Sequence, residues 1–191
     1  MDAQGVFDKL KAKYGDKITA LVTEKKDYKV GEPWIELGAA ILPMAARFLH
    51  DDPDLAFDCP MNISAVDRGE KLEMVYHLFS MKHRHRIELK VAVPREDPVV
   101  PTVEQVWGGA NWHEREAYDL MGIRFEGHSD LRRILLPDDW EGYPLRKDYA
   151  APATYRGMPV AGKPLDVSED QRQAWEGTEQ VWEKPGEKKK A

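Results

Sequence analysis

Between Met61 and Val93 the apolar residues fall on every second position through three consecutive runs. Met61, Ile63 and Ala65 alternate with more polar neighbours. Leu72, Met74, Tyr76 and Leu78 alternate with Glu73, Val75, His77 and Phe79. His85, Ile87, Leu89, Val91 and Val93 alternate with Arg86, Glu88, Lys90 and Ala92. Successive side chains of a strand point to opposite faces, so this pattern predicts three strands with one face on a core and the other partly wet. Asp67-Arg68-Gly69 and the residues near Lys82 supply turns, which makes the unit an antiparallel meander. Such a sheet has an apolar face that must be covered by something else in the chain.

The residues before it can provide that cover. Residues 4–14 read as a short amphipathic helix with Val6, Phe7 and Leu10 on one face, broken by Gly15-Asp16. Ile18–Glu24 and Trp34–Leu37 read as strands joined by a polar turn. Pro43 suits the first turn of a helix running to about His50, with Met44, Ala45, Phe48 and Leu49 as its apolar stripe and Asp51-Asp52-Pro53 as its stop. The fold class is therefore α+β: a mixed or antiparallel sheet covered by helices on one face. Residues 1–94 form this N-terminal domain, and the proline-rich stretch 95–101 reads as a linker.

Residues 102–127 complete the domain with helical pieces. Thr102 with Gln105 has the spacing of a capping box for a short helix ended by Gly108-Gly109. Asn111 with Glu114 forms a second box, opening a helix to Met121 that stops at Gly122. Glu114 and Glu116 then sit where the helix dipole favours negative charge, and Arg115 and Asp119 are spaced to pair along the helix.

Residues 128–149 are a different kind of object. Leu131, Ile134, Leu135, Leu136, Trp140, Leu145 and Tyr149 bring much apolar area, while Pro137, Gly142 and Pro144 prevent a long helix or central strand. Such a strap cannot fold on itself; it lies either on its own domain or on a partner. Arg132, Arg133, Arg146 and Lys147 alternate with Asp130, Asp138, Asp139 and Asp148, and guanidinium–carboxylate forks can lock an extended chain in register. Residues 150–191 read as a flexible tail, with a helix from about Ser168 to Trp182.

Several chemistries find no support. The chain has 191 residues, one cysteine and a net charge of −6, which excludes a disulfide framework, thiolate ligation of an iron–sulfur cluster and a broad nucleic-acid-binding field. No stretch approaches the length of a membrane span, and the N-terminus lacks the apolar core of a signal peptide. His113-Glu114 starts like a zinc-hydrolase helix, but Ala117 stands where the second histidine is needed. His83 and His85, beside Lys82, Arg84 and Arg86, read as a basic hairpin end rather than a metal site. Gly108-Gly109 has the spacing of neither phosphate-binding loop. The acidic pairs Asp51/Asp52, Glu114/Glu116 and Asp138/Asp139 sit beside capping residues, prolines or arginines, which favours structural roles.

Glu114-Arg115-Glu116, Asp119, Leu120-Met121, His128, Arg132 and Ile134-Leu135 resemble, at matching spacing, the signature of the 30-kDa subunit family of respiratory complex I, the NADH:quinone oxidoreductase. The following Leu-Pro-Asp-Asp-Trp-Glu-Gly-Tyr-Pro-Leu-Arg-Lys-Asp-Tyr149 is similar to the rest of that hallmark, and the stretch 54–67 resembles the family's entry into the meander. Ser129, Tyr143 and Ala150 depart from it, standing where proline, histidine and proline are usual. The resemblance implies a structural, non-catalytic subunit of the peripheral arm of a proton-translocating complex, on the cytoplasmic side of a bacterial inner membrane. It implies FMN, iron–sulfur clusters and quinone on other subunits and no cofactor or metal on this chain. The implied partners are the 49-kDa-type quinone-site subunit and nearby iron–sulfur subunits, with contact to the membrane only through the complex. Partner-binding residues would be His128, Arg132, Arg133, Trp140, Arg146, Lys147, Asp148 and Tyr149, alongside the family-motif residues Glu114, Arg115, Glu116 and Asp119. The equivalent subunit of a membrane-bound hydrogenase or a ferredoxin-linked relative is the alternative.

Overall fold

The computed structural model describes residues 2–25 and 28–160. The chain divides into two units, residues 1–149 and the remainder. In the first unit, helix α1 (Ala3–Tyr14) is capped by the Asp2 side chain and ends at Gly15, whose φ of 60° suits a residue without a Cβ. Strands β1 (Ile18–Lys25) and β2 (Tyr28–Leu37) follow, then helix α2 (Leu42–Asp51), with proline in its first turn. Strands β3 (Cys59–Asp67), β4 (Lys71–Phe79) and β5 (Arg86–Pro94) form the expected meander.

The five strands make one mixed sheet in the order β1-β2-β5-β4-β3, with β2 and β5 parallel and the other neighbours antiparallel. Leu72, Met74, Tyr76 and Leu78 of β4 and Ile87, Leu89, Val91 and Val93 of β5 share one core with Val6 and Leu10 of α1 and Leu42, Ala45, Ala46 and Leu49 of α2. The period-two pattern and the helical cover are thus both realised.

Two apolar expectations fail locally. Met61 is 58% exposed because the β3–β4 register shifts between Pro60 and Asn62, and the irregularity turns that side chain away from the core. On α2 it is Ala46, not Met44, that joins Ala45 and Leu49 inside; Met44 is 51% exposed.

The stretch read as a linker is built into the body. Val99–Pro101 forms strand β6, which pairs in parallel with β7 (Arg124–Glu126), and Val100 is fully buried. Nor does a helix begin at Thr102. Residues 102–107 make a single turn, closed by the Val106 and Trp107 N–H groups on the Val103 carbonyl. Helix α3 (Ala110–Met121) starts after Gly109 without a side-chain cap and ends, as its sequence indicates, at a left-handed Gly122. Ala110, Ala117 and Met121 put it on the same core.

The second unit is described only to Val160 and holds a small antiparallel hairpin, β8 (Thr154–Tyr155) and β9 (Met158–Pro159). The helix expected near 168–182 lies outside the described residues.

Candidate functional site: the clasp between helix α3 and the strap

The residues singled out between 113 and 149 converge, but with partners other than those their spacing suggested. Asp119 does not pair with Arg115. Its Oδ2 accepts the N–H groups of Ile134, Leu135 and Leu136 at 3.1, 2.7 and 2.8 Å, and its Oδ1 accepts Arg133 Nη1 at 2.7 Å. Three consecutive backbone N–H groups on one oxygen bend the strap around a single fully buried carboxylate. Burial alone would raise the Asp119 pKa; the three N–H donors and the Arg133 guanidinium reverse that and hold it below its ordinary value. Arg115 instead donates to the carbonyls of Arg132 (3.2 Å) and Arg133 (3.3 Å). One helix thus grips the strap through both its N–H and its C=O groups.

Arg133 extends the grip by donating to the Trp140 carbonyl at 2.9 Å. Arg146 Nε donates to the Met121 carbonyl at 2.7 Å, one of the C-terminal acceptors that a helix leaves open, and Leu145 N–H donates to the Leu120 carbonyl at 3.1 Å. The Tyr143 ring lies under Arg146, 4.8 Å from its guanidinium carbon, and against Gly122. At the far end Trp140 Nε1 donates to the Tyr149 hydroxyl at 3.1 Å.

A second attachment runs to the meander. Asp67, at the end of β3, accepts Lys147 N–H (2.8 Å), Gly69 N–H (2.7 Å) and Arg95 Nη1 (2.6 Å). The Arg95 guanidinium, with those N–H groups, holds the Asp67 carboxyl far below the usual carboxylate range. Arg95 also bonds Asp148. The expected linker residue is therefore a bridge between sheet and strap.

Glu114 forms the third part. It does not complete a capping box. Its fully buried carboxylate accepts Thr102 Oγ1–H at 2.5 Å and Val103 N–H at 2.8 Å, tying α3 to the turn after β6. Asn111 donates to Glu104 Oε2 at 2.6 Å, and Glu104 also accepts the Ser129 N–H at 2.7 Å. Between the two carboxylates sits His128, its side chain fully buried and its Nε2 3.6 Å from Glu104 and 3.9 Å from Glu114. Asp130 N–H donates to His128 Nδ1 at 3.0 Å, which places the ring proton on Nε2. Burial pushes the Glu114 pKa up to about 7, against the opposing Thr102 and Val103 bonds. The Tyr76 hydroxyl, also fully buried, has no hydrogen-bond partner among the described residues.

The site residues thus sort themselves by where they point. His128 and Arg133 are turned inward, and Arg146, Trp140 and Tyr149 are half-buried in strap contacts. Arg132, Lys147 and Asp148 are exposed, as is Glu116. Of the strap's large apolar groups, Leu135, 63% exposed, and Leu145, 55% exposed, face outward, as does Trp112 on α3. Leu145 with Ala65, Ala117, Leu120, His113 and Glu116 borders a groove of about 210 Å³ between α3 and β3. Asp67, Arg95, Thr102, Glu104 and Tyr143 were not singled out as site residues in the sequence, where Asp67 reads as part of a turn, Thr102 as a cap and Tyr143 as a departure from the family pattern.

Among the described residues no three His, Cys, Asp or Glu side chains gather to hold a metal. His83 and His85 direct their Nε2 atoms to the carbonyls of Pro53 (2.8 Å) and Leu55 (2.7 Å). No described helix is long and apolar enough to cross a membrane.

Over residues 35–155 the chain matches the family described as "Respiratory-chain NADH dehydrogenase, 30 Kd subunit". It is 43% identical over 162 residues to an NADH-quinone oxidoreductase subunit of Chlorobium phaeobacteroides, covering 83% of this chain and 95% of that one. It is 41% identical over 162 residues to the same-named subunit of Mycolicibacterium smegmatis, covering 81% and 68% of the two chains. Among solved structures, a trypsin-resistant fragment of Nqo5 superposes with a TM-score of 0.54 at 31% identity, covering 69% of this chain and all of that one.

Proposed function

Because the chain belongs to the 30-kDa subunit family of respiratory-chain NADH dehydrogenases, we propose that it is a non-catalytic assembly subunit of the peripheral arm of such a complex. In this reading it presents the strap 128–149 to neighbouring subunits. FMN, iron–sulfur clusters and quinone are held by other chains, and electrons pass from NADH to quinone without crossing this one. The 49-kDa-type quinone-site subunit is the proposed partner of the strap, and the cytoplasmic side of the membrane its place.

The observation that carries this reading is how the strap is held. Asp119, Arg115, Arg133 and Asp67 fix its backbone from inside, which leaves Leu135 and Leu145 facing outward on a rigid, irregular segment. A fixed apolar display rimmed by the exposed charges of Arg132, Lys147 and Asp148 suits a protein–protein contact. The groups with strongly displaced proton affinity, Glu114 and Asp67, are spent on attaching the strap and its neighbouring turn rather than opening onto a substrate cleft.

The test is a strain carrying Leu135→Glu and Leu145→Glu together. Both positions are exposed, so the free chain folds as before, while assembled complex and its NADH:quinone reductase activity fall in parallel. Normal assembly with unchanged activity would refute the docking role of the strap. Normal assembly with activity lost would point to chemistry on this chain instead.

A further inference from the structure

Helix α2 carries a second apolar surface that the core uses only in part: Phe48 rests against the core, and Met44 is 51% exposed. Leu42, Ala45, Ala46 and Leu49 face inward, whereas Met44 and Phe48, one turn apart, face an open cleft with Pro43. Tyr14 from α1 and Val106 from the turn before α3 close its other sides, and the cleft has a volume of about 640 Å³. Its floor is ordered. Tyr14 and Phe48 meet edge to face at 6.1 Å, and the Tyr14 hydroxyl donates to the Met44 carbonyl at 2.8 Å.

The rim carries two cations, Lys13 and Arg47, and one carboxylate, Asp51. Lys13 Nζ stands 3.8 Å from the Phe48 ring centroid, and Arg47 donates one N–H to the Gln105 carbonyl at 3.3 Å. Neither has a carboxylate within 4.0 Å among the described residues. That is unusual on this face. Lys9 is shared by Asp52 and Asp54, Lys11 is paired with Asp16, and Asp51, the acidic residue of the cleft, has its Oδ1 2.7 Å from His50 Nδ1. On a chain of net charge −6, two cations without a carboxylate within 4.0 Å among the described residues flank an apolar hollow fed by three separate elements.

We propose that this cleft is a second docking site, which receives apolar side chains flanked by carboxylates on a polypeptide segment of a neighbouring subunit. The proposal rests on the assembly role argued above. Apolar groups of the partner displace water from Met44, Phe48 and Val106, and its carboxylates take the open N–H groups of Arg47 and Lys13, Arg47 in a two-pronged bond. Chemistry, not sequence, defines the occupant: a basic segment is repelled at the rim, and a wholly apolar one leaves both cations without a counter-charge.

The experiment places a photo-reactive benzophenone amino acid at Met44 in the full chain, purifies the assembled complex from membranes, irradiates it and identifies adducts by mass spectrometry. A second position, Gln105 on the opposite wall, serves if Met44 does not tolerate the probe. The expected adduct is one peptide of a neighbouring subunit with Asp or Glu beside apolar residues. In the Lys13→Gln/Arg47→Gln double variant its yield falls roughly fivefold to tenfold, the worth of two solvent-accessible ion pairs. A complex that purifies normally but yields no protein adduct overturns the proposal, as do adducts confined to lipid, an adduct peptide lacking acidic residues, or a yield unmoved by the double variant. Each of these leaves the assembly role standing. Absence of the chain from the purified complex would instead refute the assembly role itself.

Discussion

Gly122 and Tyr143 are so close that a Cβ on residue 122 would lie 2.5 Å from the tyrosine ring. The glycine also holds φ at 71°, where side chains are strained. Gly122→Ala therefore carries two penalties, and we expect a loss of about 2 kcal/mol or more, from backbone strain of about 1–2 kcal/mol plus the displaced ring. Thermal denaturation measures the loss. Adding Tyr143→Ala should return part of it, because only the steric share is relieved; a fully additive double variant would contradict the contact.

Asp119→Asn tests the carboxylate that bends the strap. The amide keeps one acceptor but presents N–H groups to the other donors and leaves Arg133 unneutralised in a mostly buried setting. A loss of about 3 kcal/mol is expected, the usual cost of breaking a buried charge pair. Amide exchange at Ile134, Leu135 and Leu136 should accelerate far more than exchange in β4.

The same carboxylate fixes a pH window. Its proton affinity is lowered on folding, so its contribution is fully present above the unfolded pKa of about 4 and fades as pH falls through the lower folded value. Asp67 behaves alike. Acid below about pH 4 should therefore expose the strap to limited proteolysis, and Asp119→Asn should remove the Asp119 share of that pH dependence.

Glu114 works in the opposite sense. Its folded pKa of about 7 lies above the ordinary value, so holding it ionised costs stability at high pH, and the cost is relieved as pH falls from about 7 toward 4.5. Glu114→Gln keeps the shape without the charge. The variant should gain on the wild type above neutrality, by up to about 3 kcal/mol, and the difference should close near pH 4.5. Melting temperatures at pH 5 and pH 8.5 are the measurement, and a gain that shrinks with rising pH would exclude the buried charge as its cause.

Arg95→Ala should free the strap's end without disturbing α3. It removes a partner from both Asp67 and Asp148. We expect faster cleavage near Lys147 in limited proteolysis, with Ile134–Leu136 exchange unchanged.

The elements whose identity depends on their own periodicity were legible: the meander from Met61 to Val93, the helix from Ala3, and α3 with its stop at Gly122. What misled was the choice of partner. Arg115 and Asp119 are spaced for each other, and Asn111 and Glu114 for a capping box, but local pairing of exposed groups is worth only about half a kcal/mol. The strap backbone, 15 to 18 residues further on, offers N–H and C=O groups that would otherwise be buried unsatisfied, and that larger penalty decides the matter. Likewise the proline-rich 95–101 stretch looks open locally, yet Val100 becomes core because β7 arrives beside it from 25 residues later. Recognising the strap as one object was possible from its breakers and its apolar load. Which of its arginines face inward was not, since alternation of charge carries no periodicity in irregular backbone.

That one carboxylate in the last turn of α3 takes four donors from downstream residues makes the chain sensitive to its own completeness. During synthesis α3 emerges first, with Asp119 destined for an interior that does not yet exist. A product that stops before Arg133 leaves that charge with neither a counter-ion nor the strap's amides, a defect of several kcal/mol in a domain whose whole margin is about 5–15 kcal/mol. We expect copies that end before Arg133 to unfold and to be cleaved more readily than the full chain, which limited proteolysis of the two would measure.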